Sequence, residues 1–255
     1  MPNLVITFLV AVALFAAMAV ASWVGARYAR RRPMPDKEAE GAFLLVSSVF
    51  ALLGLLVAFT FAAAFERFNV RRKILVDEAN AIGTAYLRLD LLPAEAQPAL
   101  REKMRHYASV RARLHDDLVH PERANADMVE SDELQQVIWS HALAASEQAP
   151  ASTRMLLLPS LNEMFDITTT RHVAIRTHAP TLVFVTLFGI ALICAGLVAY
   201  VNASRGRLGW LHALAFSVIT LTLCVILDAE FPSYGLIRMD PYNQVLHDLR
   251  ASMGG

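Results

Sequence analysis

The sequence predicts an all-α integral membrane protein: four transmembrane helices, paired 2 + 2, around a long helical insert continuous with the second membrane helix. Three observations carry this. Four long apolar runs, at 4–23, 42–64, 181–201 and 208–227, contain no Lys, Arg, Asp or Glu. At 1.5 Å rise per residue each can cross a hydrocarbon core of about 30 Å. Between the second and third runs, a polar stretch keeps apolar residues at helical spacing instead of breaking into loops. Of the 255 residues, 56% are hydrophobic and only 18% charged, against about 25% charged in soluble domains. That deficit is confined to the four runs, as in a membrane chain. The expected division is a first hairpin at 1–64, the insert at 65–179, a second hairpin at 180–228 and a short tail at 229–255.

The first run follows Met1, Pro2 and Asn3, which provide no positive n-region. It is longer than a usual signal-peptide core, so a retained helix is expected, able to serve as an uncleaved signal anchor. It should end near 21–27. Arg27, Arg30, Arg31 and Arg32 follow, then Pro33 and Pro35, which lock φ and remove amide donors and so predict a loop.

The second run starts near Gly41 and continues past the membrane. After Ala64 the apolar positions are Phe68, Leu75, Ala79, Ile82, Tyr86 and Leu89. From Leu75 they alternate steps of four and three, one face of a helix. Glu66, Arg67, Arg71, Arg72, Lys73, Asp77, Glu78 and Arg88 occupy other positions, and no proline intervenes before Pro93. The pattern reads as one helix of roughly 45–50 residues, which needs lateral partners because propensity alone does not hold such a length.

Leu100, Met104, Tyr107, Leu114 and Leu118 predict a second polar-region helix across 94–121, with Pro98 at its start and Pro121 helping to end it. Ser131, followed by Asp132 and Glu133, reads as the N-cap of a third. A break is expected at 149–152. A fourth should run to Arg176 from Ser152 or from Ser160, where Ser160 and Glu163 match a capping box and Pro159 is a boundary or kink. The loop between the last two membrane runs, 202–207, is too short for a domain, so those helices are antiparallel neighbours. Past Leu227, Pro232 and Gly235 call for a fixed turn. A short amphipathic element follows at 241–250.

Formal net charge is 0, which points to no nucleic-acid partner. Cys194 and Cys224 both fall in membrane runs, away from metal-ligand spacing, and read as small buried hydrophobes. The sequence contains no P-loop, dinucleotide, HExxH or GxSxG pattern, so no enzymatic activity and no cofactor are expected. An even number of crossings puts both termini on one side. Basic residues do not decide which: Arg67, Arg71, Arg72, Lys73, Arg171, Arg176 and Arg238 favour one orientation, and Arg27, Arg30, Arg31, Arg32, Lys37, Arg205 and Arg207 the other.

At 76–93, VDEANAIGTAYLRLDLLP, and at 227–239, LDAEFPSYGLIRM, the chain resembles a bacterial family of membrane proteins, the DUF4239 or bestrophin-like group. The likeness extends over about 43–249. It implies a distant relation to bestrophins, which are pentameric anion channels whose second membrane helix lines the pore and whose narrow neck is hydrophobic. By that resemblance the protein is a multi-pass protein of the bacterial inner membrane, with termini and insert cytoplasmic. It would self-associate, as a pentamer, and pass small anions. The element matching the neck carries Phe50, Val57, Phe61, Phe65 and Phe68. Bestrophins gather acids from both chain ends to bind calcium. Here only Asp228 and Glu230 stand together, and no acid precedes the first helix, so calcium gating is not expected and no metal is assigned.

Each candidate has a plainer reading. The aromatic row is either a dewetting constriction or ordinary helix packing. Glu78 and Asn80 are either pore-facing or structural, with Glu78 paired to Arg71 or Arg72; a lumen-facing carboxylate would repel anions. Asp228 and Glu230 either approach one cation or hold the C-terminal turn, with Asp228 accepting its amides or pairing with Arg238. His212, beside Trp210, reads as interfacial. His115 and His120, flanking Asp116 and Asp117, are a weak metal hint. Against the channel stands a second class, a non-conducting membrane scaffold or sensor whose insert binds a partner.

Overall fold

The computed structural model describes residues 2–116, 120–204, 211–232, 237 and 240–254. The described residues form eight α-helices: α1 (Pro2–Arg31), α2 (Asp36–Arg88), α3 (Gln97–Asp116), α4 (Pro121–Glu147), α5 (Ala151–Arg176), α6 (Thr181–Ser204), α7 (Leu211–Glu230) and α8 (Asp240–Ser252). Among them, four are long and apolar enough to cross a membrane. The chain divides into two compact units, one of residues 1–68 and 178–237 and the other of 69–177 and 238–255. The 53-residue α2 contributes to both.

The first unit holds α1, the first part of α2, α6 and α7. Its main core joins Leu53 and Ala64 of α2, Phe184, Leu187, Ala191 and Cys194 of α6, and Leu223, Ile226 and Ala229 of α7. Met18, Ala195 and Phe216 form a second cluster linking α1, α6 and α7. Where α1 crosses α6, Gly25 faces Gly196 so closely that a Cβ on Gly25 would collide with the Gly196 carbonyl oxygen. Small residues at such a crossing let helix backbones meet without a hydrophobic drive between them. The outer surface is apolar: Phe8, Leu44, Leu45, Phe59, Leu182 and Leu221 are all exposed. Hydroxyls there return to their own helices. Ser47 donates to the Phe43 carbonyl, Ser48 to Leu44, Ser217 to Ala213 and Thr222 to Val218, as hydrocarbon surroundings require.

The second unit holds the rest of α2, a 3-10 turn at Leu89–Leu91, then α3, α4, α5 and α8. The stripe expected on α2 is its core face: Leu75, Ala79, Ile82, Tyr86 and Leu89 are all buried, as are Leu100, Met104, Tyr107 and Leu114 of α3. The C-terminal element, α8, belongs to this unit. Leu246 and Met253 are buried, and the Tyr86 hydroxyl donates to the Met253 carbonyl at 2.8 Å. Arg71 satisfies the open end of α5, donating to the carbonyls of Ala174 and Thr177 that the helix itself leaves unpaired.

One helix start differs from expectation. Pro121 opens α4 at its first turn, with His120 as N-cap residue, because the missing proline amide costs nothing there. Ser131 is therefore buried in mid-helix and caps nothing. Of the two starts expected for α5, the one at Ser152 holds to within a residue: the helix begins at Ala151 and runs through Pro159. Ser160 lies inside it and donates to the Leu157 carbonyl, so the Ser160–Glu163 pair is no capping box. Asp117, Leu118 and residues 205–210 lie outside the described residues.

Candidate functional site

Three local arrangements hold the candidates. In the first unit, α2 turns Val46, Leu53, Thr60, Ala64 and Phe68 inward. At about 100° per residue, Phe50 and Val57 share that side, and both pack against the core with Phe65. Phe61 sits at its edge, 37% exposed. Its ring stacks on Phe65 at 4.8 Å between centroids, and Phe65 meets Phe68 at 6.3 Å. The aromatic row is thus a ladder whose members are mostly packed, with Phe61 presenting the accessible ring.

The end of α7 places Asp228 and Glu230 in separate environments. Asp228 accepts from the Thr7 hydroxyl of α1 at 3.3 Å. Glu230, fully buried, accepts from Arg67 on α2, whose Nε and Nη2 both reach Oε2, at 2.9 Å and 2.6 Å, with Nε also 3.1 Å from Oε1. It also accepts the Ala179 amide at 2.8 Å, and His178 Nδ1 stands 3.4 Å away. The His178 ring stacks on Phe231. Glu230 thereby ties α7, α2 and the start of α6 together. Pro232 comes next, half-buried; Gly235 and Arg238 lie outside the described residues. Among the described residues no group of three or more His, Cys, Asp or Glu could hold a metal ion. His212 meets Asn202 across α6 and α7 at 2.9 Å.

In the second unit Glu78 is fully buried, with Arg111 Nε on Oε1 and Arg171 Nη1 on Oε2, both at 2.5 Å. The expected partners, Arg71 and Arg72, are engaged elsewhere: Arg71 closes α5, and Arg72 lies over the Tyr242 ring and contacts its hydroxyl. Burial pushes the Glu78 carboxyl up, but Arg171 and Arg111 outweigh it and hold it below the usual carboxylate range. The buried Tyr107 hydroxyl is pushed up to about 12, chiefly by desolvation. Asn80 is exposed.

Arg111, Arg171 and Arg67 are the residues that motif reading missed. A usable signal existed for two of them. Arg111 lies four after Tyr107, and Arg171 seven after Met164, so each charge falls in line with an apolar stripe. A charge on a buried stripe needs an opposite charge facing it.

The Bestrophin-like domain family matches residues 7–241. Several crystal structures share the fold. One is a membrane protein carrying a proline-to-alanine substitution: 14% identity, TM-score 0.70, 98% of each chain covered. Another is a bacterial bestrophin homolog from Klebsiella pneumoniae with a leucine-to-threonine substitution: 14% identity, TM-score 0.69, covering 98% of this chain and 99% of that one. An isoleucine-to-threonine variant of that homolog matches at 15% identity and TM-score 0.69, covering 97% and 98%. No curated protein matches the sequence.

Proposed function

Because the chain belongs to the bestrophin-like family, matched over residues 7–241, we propose that it is an ion channel, assembled as a homo-oligomer in the bacterial inner membrane and passing small anions. Conduction runs along a ring of α2 helices. The insert and both termini face the cytoplasm. Pentameric assembly follows the resemblance to bestrophins. The observation that carries the reading is the unbroken α2 with its Phe61–Phe65–Phe68 ladder. Phe50, Val57 and Phe65 pack on the core of their own subunit, so they stiffen the wall. Phe61, whose ring stays accessible, is the neck residue, able to gate by dewetting. Glu230 is neutralised by Arg67 and Glu78 by Arg111 and Arg171, so neither presents a bare carboxylate to an anion.

The test is chloride flux from liposomes holding the purified protein. Flux above empty vesicles, altered by Phe61→Ala and unaltered by Phe59→Ala, supports the proposal. No flux under any ion or voltage gradient refutes it, and a monomer in detergent removes the ring. Exposed Leu87, Met155 and Val173 on the second unit favour the other reading, a scaffold or sensor binding a partner. That reading gains if the protein is oligomeric but silent.

A further inference from the structure

Within the second unit, α3, α4 and α5 enclose an open cavity of about 400 Å³ whose lining includes Arg111, Asp132, Thr169, Arg171, His172 and Arg176. Its size falls in the range of small-molecule sites. Its charge is lopsided. Arg111 and Arg171 share a single carboxylate, Glu78, both of whose oxygens they occupy. Counting Arg176 and Asp132 leaves one net positive charge with His172 neutral. Arg171 is 3% exposed, and its Nη2 has no hydrogen-bond partner among the described residues. A buried guanidinium N–H without an acceptor is costly, and guanidinium groups match oxyanions in shape and charge.

We infer that this cavity binds a small multivalent oxyanion, a phosphate or a carboxylate, with Arg171 and Arg111 at its floor and Arg176 and Thr169 at its rim. The site is independent of conduction and does not rest on the channel reading. Glu78 acts as a positioning residue: it holds both guanidinium groups in place beneath the cavity. The rim is exposed, whereas Arg171 Nη2 is closed off from solvent, so a ligand meets Arg176 and Thr169 first and reaches that atom only as the floor side chains shift.

The full chain in detergent is titrated with inorganic phosphate and, separately, with citrate, each against sodium chloride at equal ionic strength, reading heat and thermal midpoint. Saturable binding that raises the midpoint above the chloride control is expected for one or both. Which of them binds identifies the chemistry as phosphate or carboxylate. Thr169→Glu and Arg176→Glu place a negative charge at the rim without touching the Glu78 contacts. Each should weaken binding at least about tenfold by like-charge repulsion, with helicity unchanged. Arg171→Gln should abolish it; if that variant does not fold, the two rim variants decide. Absence of saturable binding by either anion, or equal binding in both rim variants, overturns the inference.

Discussion

Replacing Glu78 by Gln removes the carboxylate that Arg111 and Arg171 share. The side chains are 0%, 5% and 3% exposed, so water does not screen what is left. The site goes from one net positive charge to two, facing each other with only a neutral amide between. Removing one partner of a buried pair costs about 3–5 kcal/mol, because the remaining charge stays buried. That is a large part of a domain stability of about 5–15 kcal/mol, so the second unit should unfold at markedly lower denaturant. Circular dichroism and limited proteolysis in detergent read this. Glu78→Leu combined with Arg111→Met and Arg171→Leu removes all three charges and should recover most of the loss, since apolar residues of similar volume replace buried ion pairs well. The same logic sets an acid limit. A carboxyl held below its ordinary value in the fold contributes stability that is fully present above that ordinary value of 4.5. It is lost as pH falls through the lowered value. Wild type should lose stability in that acid window, and Glu78→Gln should lose less there. A cost under about 1 kcal/mol, the value of an exposed pair, would refute the reasoning, as would an unchanged acid profile.

Gly25→Ala drives a methyl into a backbone oxygen of α6, that of Gly196, which cannot rotate away. A loss of at least about 1–3 kcal/mol should appear as a lower thermal midpoint in detergent. Gly189→Ala, with nothing within 4 Å, should be neutral or gain up to about 1 kcal/mol from helix propensity. Arg67→Gln withdraws the charged donors from buried Glu230 and should cost about 1.5–3 kcal/mol by the same thermal assay. Arg67→Lys should recover only part, since an ammonium does not reproduce the planar fork.

Much of the fold was legible because membrane insertion and helix packing leave periodic marks. The four charge-free runs stand in α1, α2, α6 and α7. The steps of four and three from Leu75 to Leu89 are the buried face of α2. Helix starts were less legible. A proline such as Pro121 can close one helix or open the next, and only the packing around it decides. Ser131 and Ser160 had the composition of caps but lie inside longer helices, where neighbouring elements hold the backbone helical against weak local preference. The candidate sites divide in the same way. Glu78 and Glu230 stand out as carboxylates in apolar surroundings, whereas Arg111, 33 positions from Glu78, and Arg171, 93 positions away, are too distant in the chain for spacing to connect.

By itself, then, the sequence determined that the chain is helical, that it crosses a membrane and that its second membrane helix extends into the insert, since hydropathy and periodicity are properties of neighbouring residues. Only the tertiary structure decided which charges neutralise one another and which ring of the aromatic row stays accessible. It also decided that α1 meets α6 at two glycines. Each of these depends on residues brought together from distant parts of the chain, and no local pattern encodes that approach.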